Sequence, residues 1–223
     1  MREELQALDR DIAGTRSRAR WVAEHPGLDL HRGPKLPPPH GDPVVVRDGT
    51  RVLIRPVEPG DAPLLERGFA QLGALSRYRR FLAPVDHLDR DQVAYLTQVD
   101  HRDHEAIVAI DPATGEGIGV ARYVRDADDP ARAEVAIVIT DTWQDRGVGT
   151  ALADRLAARA REAGIERVTA RMLATDQQPR HLLERLARTI SQNEYAGRVE
   201  LTADARAASA AENPVSGTRP ADE

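Results

Sequence analysis

Seven consecutive residues, Gln144-Asp145-Arg146-Gly147-Val148-Gly149-Thr150, have the types and spacing of an anion cradle. Gly147 and Gly149 carry no side chain, so a phosphate can come close to the main chain. A β-branched run precedes the turn and an amphipathic stretch follows it, which puts the amides of Val148, Gly149 and Thr150 in the first turn of a predicted helix. Such amides have no intrahelical acceptor, and the positive end of the helix dipole lies with them. The expected chemistry is capture of a pyrophosphate. Two better-known phosphate loops do not fit, because the chain has no Gly-x-x-x-x-Gly-Lys-Ser/Thr and lacks the three-glycine dinucleotide fingerprint. Asp100-His101-Arg102-Asp103-His104 contains metal-ligating types, but the His-x-x-His spacing has no matching third ligand, so no metal is expected. The absence of cysteine excludes disulfides, thiolate zinc sites and a cysteine nucleophile.

The elements that must position the turn are legible from periodicity and punctuation. Ala133-Glu134-Val135-Ala136-Ile137-Val138-Ile139 is a nearly continuous apolar run, expected to be a strand inside the sheet and buried on both faces. After the turn, Val148, Leu152, Leu156, Ala160 and Ala163 mark one face of a helix that stops at Gly164. Further strands are expected over 51–56, 105–110, 117–124, 168–173 and 198–202, with a hairpin turn at Asp111-Pro112-Ala113-Thr114-Gly115. Further helices are expected from Asp61, acting as N-cap, over 90–97 and over 180–189 with Leu182, Leu183, Leu186 and Ile190 facing in. The order of elements is α+β, with a strand-turn-helix-strand unit in the second half.

The ends read differently. Residues 2–25 have a helical pattern suited to a peripheral or dimerising helix, and 25–43 turn rich in proline, glycine and histidine, as a linker does. Residues 1–43 are therefore taken as N-terminal helix and linker, 44–204 as the folded domain and 205–223 as a disordered tail. The net charge of −5 is spread along the chain, which argues against nucleic acid as partner. No apolar stretch approaches the length of a membrane span or a signal peptide, so a cytoplasmic location without membrane partners is expected.

The run from Glu134 through Thr140-Asp141-Thr142-Trp143 into Gln144-Asp145-Arg146-Gly147-Val148-Gly149 resembles the acetyl-CoA motif of the GNAT N-acetyltransferase superfamily. The resemblance covers about 51–202, and Ser76-Arg77-Tyr78-Arg79-Arg80-Phe81 with His104-Glu105-Ala106 is similar to the GNAT domains of bacterial Pat-type acetyltransferases. It implies an αβα-layered fold with a mixed, mostly antiparallel sheet flanked by helices. It also implies acetyl-CoA as cosubstrate and a primary amine, protein lysine or small molecule, as acceptor. By that resemblance the main chain of Ile137, Val138 and Ile139 pairs with the pantetheine arm across a splay between strands, and residues 144–150 hold the pyrophosphate. Glu134 is the implied general base, since partial desolvation at the start of the strand would raise its pKa toward a useful value.

The chain also departs from the family pattern. Asp176-Gln177-Gln178 and Leu182-Leu183 stand where members carry an asparagine and a general-acid tyrosine, and Ala187-Arg188-Thr189 replaces the usual Gly-Phe. These departures leave a second reading, an acetyl-CoA-binding sensor with weak or no turnover, and make displacement of the last strand an expectation. Tyr195 could replace the tyrosine only if the chain folds back. Trp143 is expected to be a packing anchor, and Arg77, Tyr78, Arg79 and Arg80 to form a polar helix-end face or line an acceptor groove.

Overall fold

The structure, a computed structural model, describes residues 39–176, 188–195 and 197–204. Eight strands form one sheet in the order β1-β2-β3-β4-β5-β6-β8-β7. They are β1 (Asp42–Val45), β2 (Arg51–Pro56), β3 (His104–Ile110), β4 (Gly117–Arg125), β5 (Arg132–Ile139), β6 (Arg167–Leu173), β7 (Arg188–Tyr195) and β8 (Arg198–Asp204). Every neighbouring pair is antiparallel except β5 and β6. Helices α1 (Ala62–Ala70), α2 (Ala74–Phe81) and α3 (Arg90–Thr97) cover one face and α4 (Val148–Glu162) the other, so the layered mixed sheet expected from the resemblance is present.

The periodicity of α4 explains its seat. Val148, Leu152, Leu156 and Ala160 are buried against Val52, Ile107, Ile118, Tyr123 and Val135 of the sheet. On the opposite face Phe69, Leu72 and Phe81 close over Val138, while Leu64 packs on Ala106, Val108 and Ile110. Alternate residues of β3 therefore feed both layers, and all seven are buried. The strand buried on both faces is β3, not β5 as expected. The last four residues of β5, Ala136 to Ile139, are only half-buried, because β6 accompanies β5 through Arg132, Ala133 and Glu134 and then diverges.

Three other expectations need correction. Asp61 sits at the N-cap position of α1 but its carboxylate does not cap the helix. It is 1% exposed and takes a bidentate pair from Arg55, Nη1 to Oδ2 at 2.6 Å and Nη2 to Oδ1 at 2.7 Å. Two charge-assisted bonds to a guanidinium outweigh one to an amide. Asp42 and Pro43, placed in the linker, instead open edge strand β1, where a missing N–H can face solvent. The helix expected over 180–189 lies mostly outside the described residues, and its last two residues, Arg188 and Thr189, begin β7. The chain does fold back here, and β8 lies between β6 and β7, so the last strand is displaced inward by an unexpected hairpin. The N-terminal helix and the C-terminal tail lie outside the described residues, and among the described residues no helix is long and apolar enough to cross a membrane.

Candidate functional site

Glu134 is the last residue of β5 in register with β6, opposite Thr169, and on its other side it faces Val124 of β4. It stands at the root of a wedge-shaped opening between the two parallel strands. Beyond it Tyr123↔Val135, Ala121↔Ile137, Val120↔Val138 and Gly119↔Ile139 keep β5 paired to β4, so the groups of Ile137, Val138 and Ile139 directed toward β6 have no strand to meet. That free edge is where an extended ligand could add a strand. The Glu134 side chain is 37% exposed, with Arg171 Nη1 at 3.9 Å from Oε2, so its desolvation is partial.

The turn that ends the wedge is braced from two sides. On the α2 side, Asp141 Oδ2 accepts the Gly73 N–H at 3.1 Å, and Gln144 Nε2 donates to Ser76 Oγ at 3.2 Å and to Ile139 O at 3.1 Å. The Gln144 side chain is thus engaged in holding the loop. On the other side the turn between β1 and β2 reaches across. Asp48 N–H donates to Arg146 O at 3.3 Å, and the Arg47 guanidinium donates to Asp145 O. Arg146 Nε pairs with Asp48 Oδ2 at 2.5 Å, its Nη2 donates to Thr50 Oγ1 at 2.7 Å, and its guanidinium stacks on Trp143 at 4.0 Å. Trp143 packs on the main core, which makes it the expected anchor. Arg146 therefore fastens the loop.

Asp145 at φ 58° and Gly147 at φ 98° both take left-handed conformations, a pattern that turns successive N–H groups toward one concave side. Ala151 N–H donates to Gly147 O at 3.1 Å, so the amides of Val148, Gly149 and Thr150 come before the helical ladder, as expected from sequence. A Cβ on Gly147 would lie 2.7 Å from both Cβ and N of Arg47. The backbone of the turn thus leaves these amides outside the helical ladder and requires glycine at position 147. An anionic group with an extended arm fits the combination of cradle and free strand edge.

The electrostatics of the brace yield a pH prediction. The Asp48 carboxyl is lowered to about 2, first by its hydrogen bond to Arg146 and then by the Thr50 backbone amide. A carboxyl with a depressed folded pKa stabilises above its ordinary value of 3.8 and loses that contribution as pH falls through about 2. The turn is thus expected to stay fastened to the loop at neutral and mildly acidic pH and to release only in strong acid. Carboxyl-carbon NMR of Asp48 reads this directly, and a midpoint at the ordinary value would refute it.

The remaining sequence candidates are distributed. His101 Nδ1 meets Glu105 Oε1 at 2.7 Å, while His104 Nε2 accepts from Arg122 Nη1 at 3.0 Å, so the two rings serve different partners. Among the described residues no group of three metal-ligating side chains gathers. Arg77 donates to Asp86 O and Ala70 O, Arg79 pairs with Asp176 at 3.2 Å, Tyr78 is exposed, and only Arg80 turns into a cleft beneath the helices. Tyr195 stands opposite Arg198 at the tip of the β7–β8 hairpin, with β8 and β6 between its strand and the wedge. Residues that sequence reasoning missed are Arg47, Asp48 and Thr50, the bracing turn, and Arg122. Asp48-Gly49 has the residue types of a tight turn, which say nothing of the partner the turn reaches.

The chain is similar to known acetyltransferases. Acetyltransferase Pat of Mycolicibacterium smegmatis is 36% identical over 144 residues, which are 65% of this chain and 43% of Pat, so the chain spans less than half of that relative. The GNAT domain of S. lividans PAT superposes with a TM-score of 0.66 at 34% identity, covering 73% of this chain and 96% of that domain. A cAMP-binding acyltransferase from Mycobacterium smegmatis gives 0.55 at 30% identity, covering 78% of this chain and 50% of that one. The acetyltransferase (GNAT) domain family matches residues 51–187, and with the wedge and cradle in place the chain belongs to that family.

Proposed function

We propose that the protein is a cytoplasmic N-acetyltransferase that moves the acetyl group of acetyl-CoA to a primary amine, either a protein lysine or a small molecule. The observation that carries this reading is the divergence of β5 and β6 after Glu134, with the glycine cradle at its open end. In this reading Ile137, Val138 and Ile139 bind the pantetheine arm by their main chain, and the loop from Gln144 through Asp145, Arg146, Gly147, Val148, Gly149 and Thr150 binds the pyrophosphate. The amide groups of Val148, Gly149 and Thr150 are the donors, while Gln144 and Arg146 hold the loop's shape.

Glu134 serves as general base. The amine nitrogen forms a C–N bond to the thioester carbonyl carbon, the C–S bond breaks, coenzyme A leaves as thiolate, and the amine proton passes to the Glu134 carboxylate directly or through water. Its position at the root of the wedge, where the carbonyl end of an arm lying along β5 would arrive, supports the assignment.

Acetyl-CoA-dependent thiol release over a panel of amines, lysine peptides included, tests the proposal. Amine-dependent release at a saturable rate is the expected result. Binding of acetyl-CoA with no amine-dependent release would replace the enzyme by the sensor reading, and the absence of binding would overturn both. The named acetyltransferases among the relatives favour turnover.

A further inference from the structure

The layer under α1–α3 is not filled. A narrow cleft open to solvent lies between these helices and β4–β5, walled by Phe69, Leu72, Phe81, Val120 and Val138. Arg122, which lines the cleft, stands opposite Ala136 in the β4–β5 register, two residues from Glu134, so the cleft adjoins the region proposed for the acyl end of the cosubstrate.

Two guanidinium groups interrupt the apolar wall, Arg80 from α2 and Arg122 from β4. Arg122 is 5% exposed and donates to His104 Nε2 at 3.0 Å and Leu96 O at 3.1 Å, both uncharged acceptors. His104 is held neutral because burial, and then Arg122 itself, push its pKa well below the ordinary value. Arg80 makes a ring contact with Phe81, its guanidinium carbon 5.1 Å from the centroid. The carboxylate that acts on it is Glu134, with Tyr95 a weaker influence. Burial and the nearby Arg80 charge bring Arg122 down to about 9. One buried guanidinium, Arg122, and one half-buried, Arg80, with no carboxylate among the described residues hydrogen-bonded to either, are held at a cost, and an anion entering between apolar walls relieves it.

Building on the acyl-transfer reading above, we propose that this cleft accepts the acyl chain of a CoA thioester that ends in a carboxylate, with the methylenes against Phe69, Leu72 and Val138 and the carboxylate toward Arg80 and Arg122. An amine cation is repelled by the same pair, and a purely aliphatic chain leaves both charges unrelieved. The reaction is the same transfer: the C–N bond forms, the C–S bond breaks, coenzyme A departs as thiolate, the amine proton goes to Glu134, and the distal carboxylate is carried over unchanged.

Calorimetric titration of the whole chain with succinyl-CoA, butyryl-CoA and acetyl-CoA isolates the carboxylate, because butyryl has the same number of acyl carbons without the charge. Succinyl-CoA is expected to bind about tenfold more tightly than butyryl-CoA, as a charge-assisted bond would give. That preference is expected to shrink in Arg80→Gln and in Arg122→Gln, with cooperative melting as the check on folding. The wild-type ratio decides even if a variant does not fold. Butyryl-CoA binding as tightly as succinyl-CoA, or a preference that survives both substitutions in folded protein, would overturn the inference. If acetyl-CoA binds and neither longer thioester does, the inference fails while the acetyltransferase reading stands. If no thioester binds, both fail.

Discussion

Glu134→Gln is expected to lower kcat by about a hundred- to a thousandfold while the KM for acetyl-CoA stays within about threefold of wild type. Glutamine keeps the size and the hydrogen-bonding reach of the carboxylate but cannot take up a proton. The edge proposed for the cosubstrate's arm is main chain and begins beyond Glu134, so the substitution leaves its groups in place. Loss of rate without loss of cosubstrate affinity is therefore the signature of a proton acceptor, and the acidic limb of the pH–rate profile should vanish with it. Steady-state kinetics over a range of pH provides both readings. A kcat within about threefold of wild type would remove Glu134 from the chemistry and leave its role to structure, opposite Arg171.

Gly147→Val is expected to abolish measurable acetyl-CoA binding and to lower the folding stability by about 2–5 kcal/mol. Two costs combine. The left-handed φ of 98° is unfavourable for any L-residue with a side chain, by about 1–2 kcal/mol, and worse for a β-branched one. The added Cβ would also lie 2.7 Å from the backbone N of Arg47, and relieving that overlap costs roughly 1–3 kcal/mol more. The β1–β2 turn must then withdraw, which releases Asp48 from Arg146 and dissolves the brace that shapes the cradle. Chemical denaturation and calorimetric titration measure the two effects separately. A variant of unchanged stability that still binds acetyl-CoA would mean that the loop tolerates another shape.

The parts of the molecule governed by local periodicity were readable from the sequence. Helix α3 was expected over 90–97 and is found as Arg90–Thr97, and α4 begins at Val148 and ends just before Gly164, because spacing and end residues are local signals. The hairpin of β3 and β4 followed from alternating apolar runs around Asp111–Gly115 in the same way. What escaped depended on partners far away in the chain. Strand β1 was hidden by Pro43, a residue that suits a linker as well as a sheet edge. Strand β7 was obscured because Ile190 continues the helical spacing of Leu182, Leu183 and Leu186 in the sequence, while the residues after it, Ser191 to Glu194, are polar and carry no alternating pattern. The cradle was visible as glycines at fixed spacing, whereas its dependence on Arg47 and Asp48, about a hundred residues earlier, exists only in three dimensions. Arg80 was expected on a polar helix-end face or in an acceptor groove, and nothing in the sequence singled out Arg122, which lines the same cleft from β4.

The sheet is continuous in name, yet between its two halves only three residue positions of β5 and β6 are in register. Strands β1 to β5 carry α4 and the cradle, and β6, β8 and β7 form a second ribbon joined to them by those few rungs, by the core that Val168, Ala170, Val199 and Leu201 share with α4, and by Arg198, which donates to Leu82 O at 3.2 Å. A cosubstrate lying in the gap would act as a rivet between the ribbons, supplying the rungs that the polypeptide omits. Amides of β6 and β8 should accordingly exchange hydrogen more slowly in the liganded protein than in the free one, although most of them never touch the ligand.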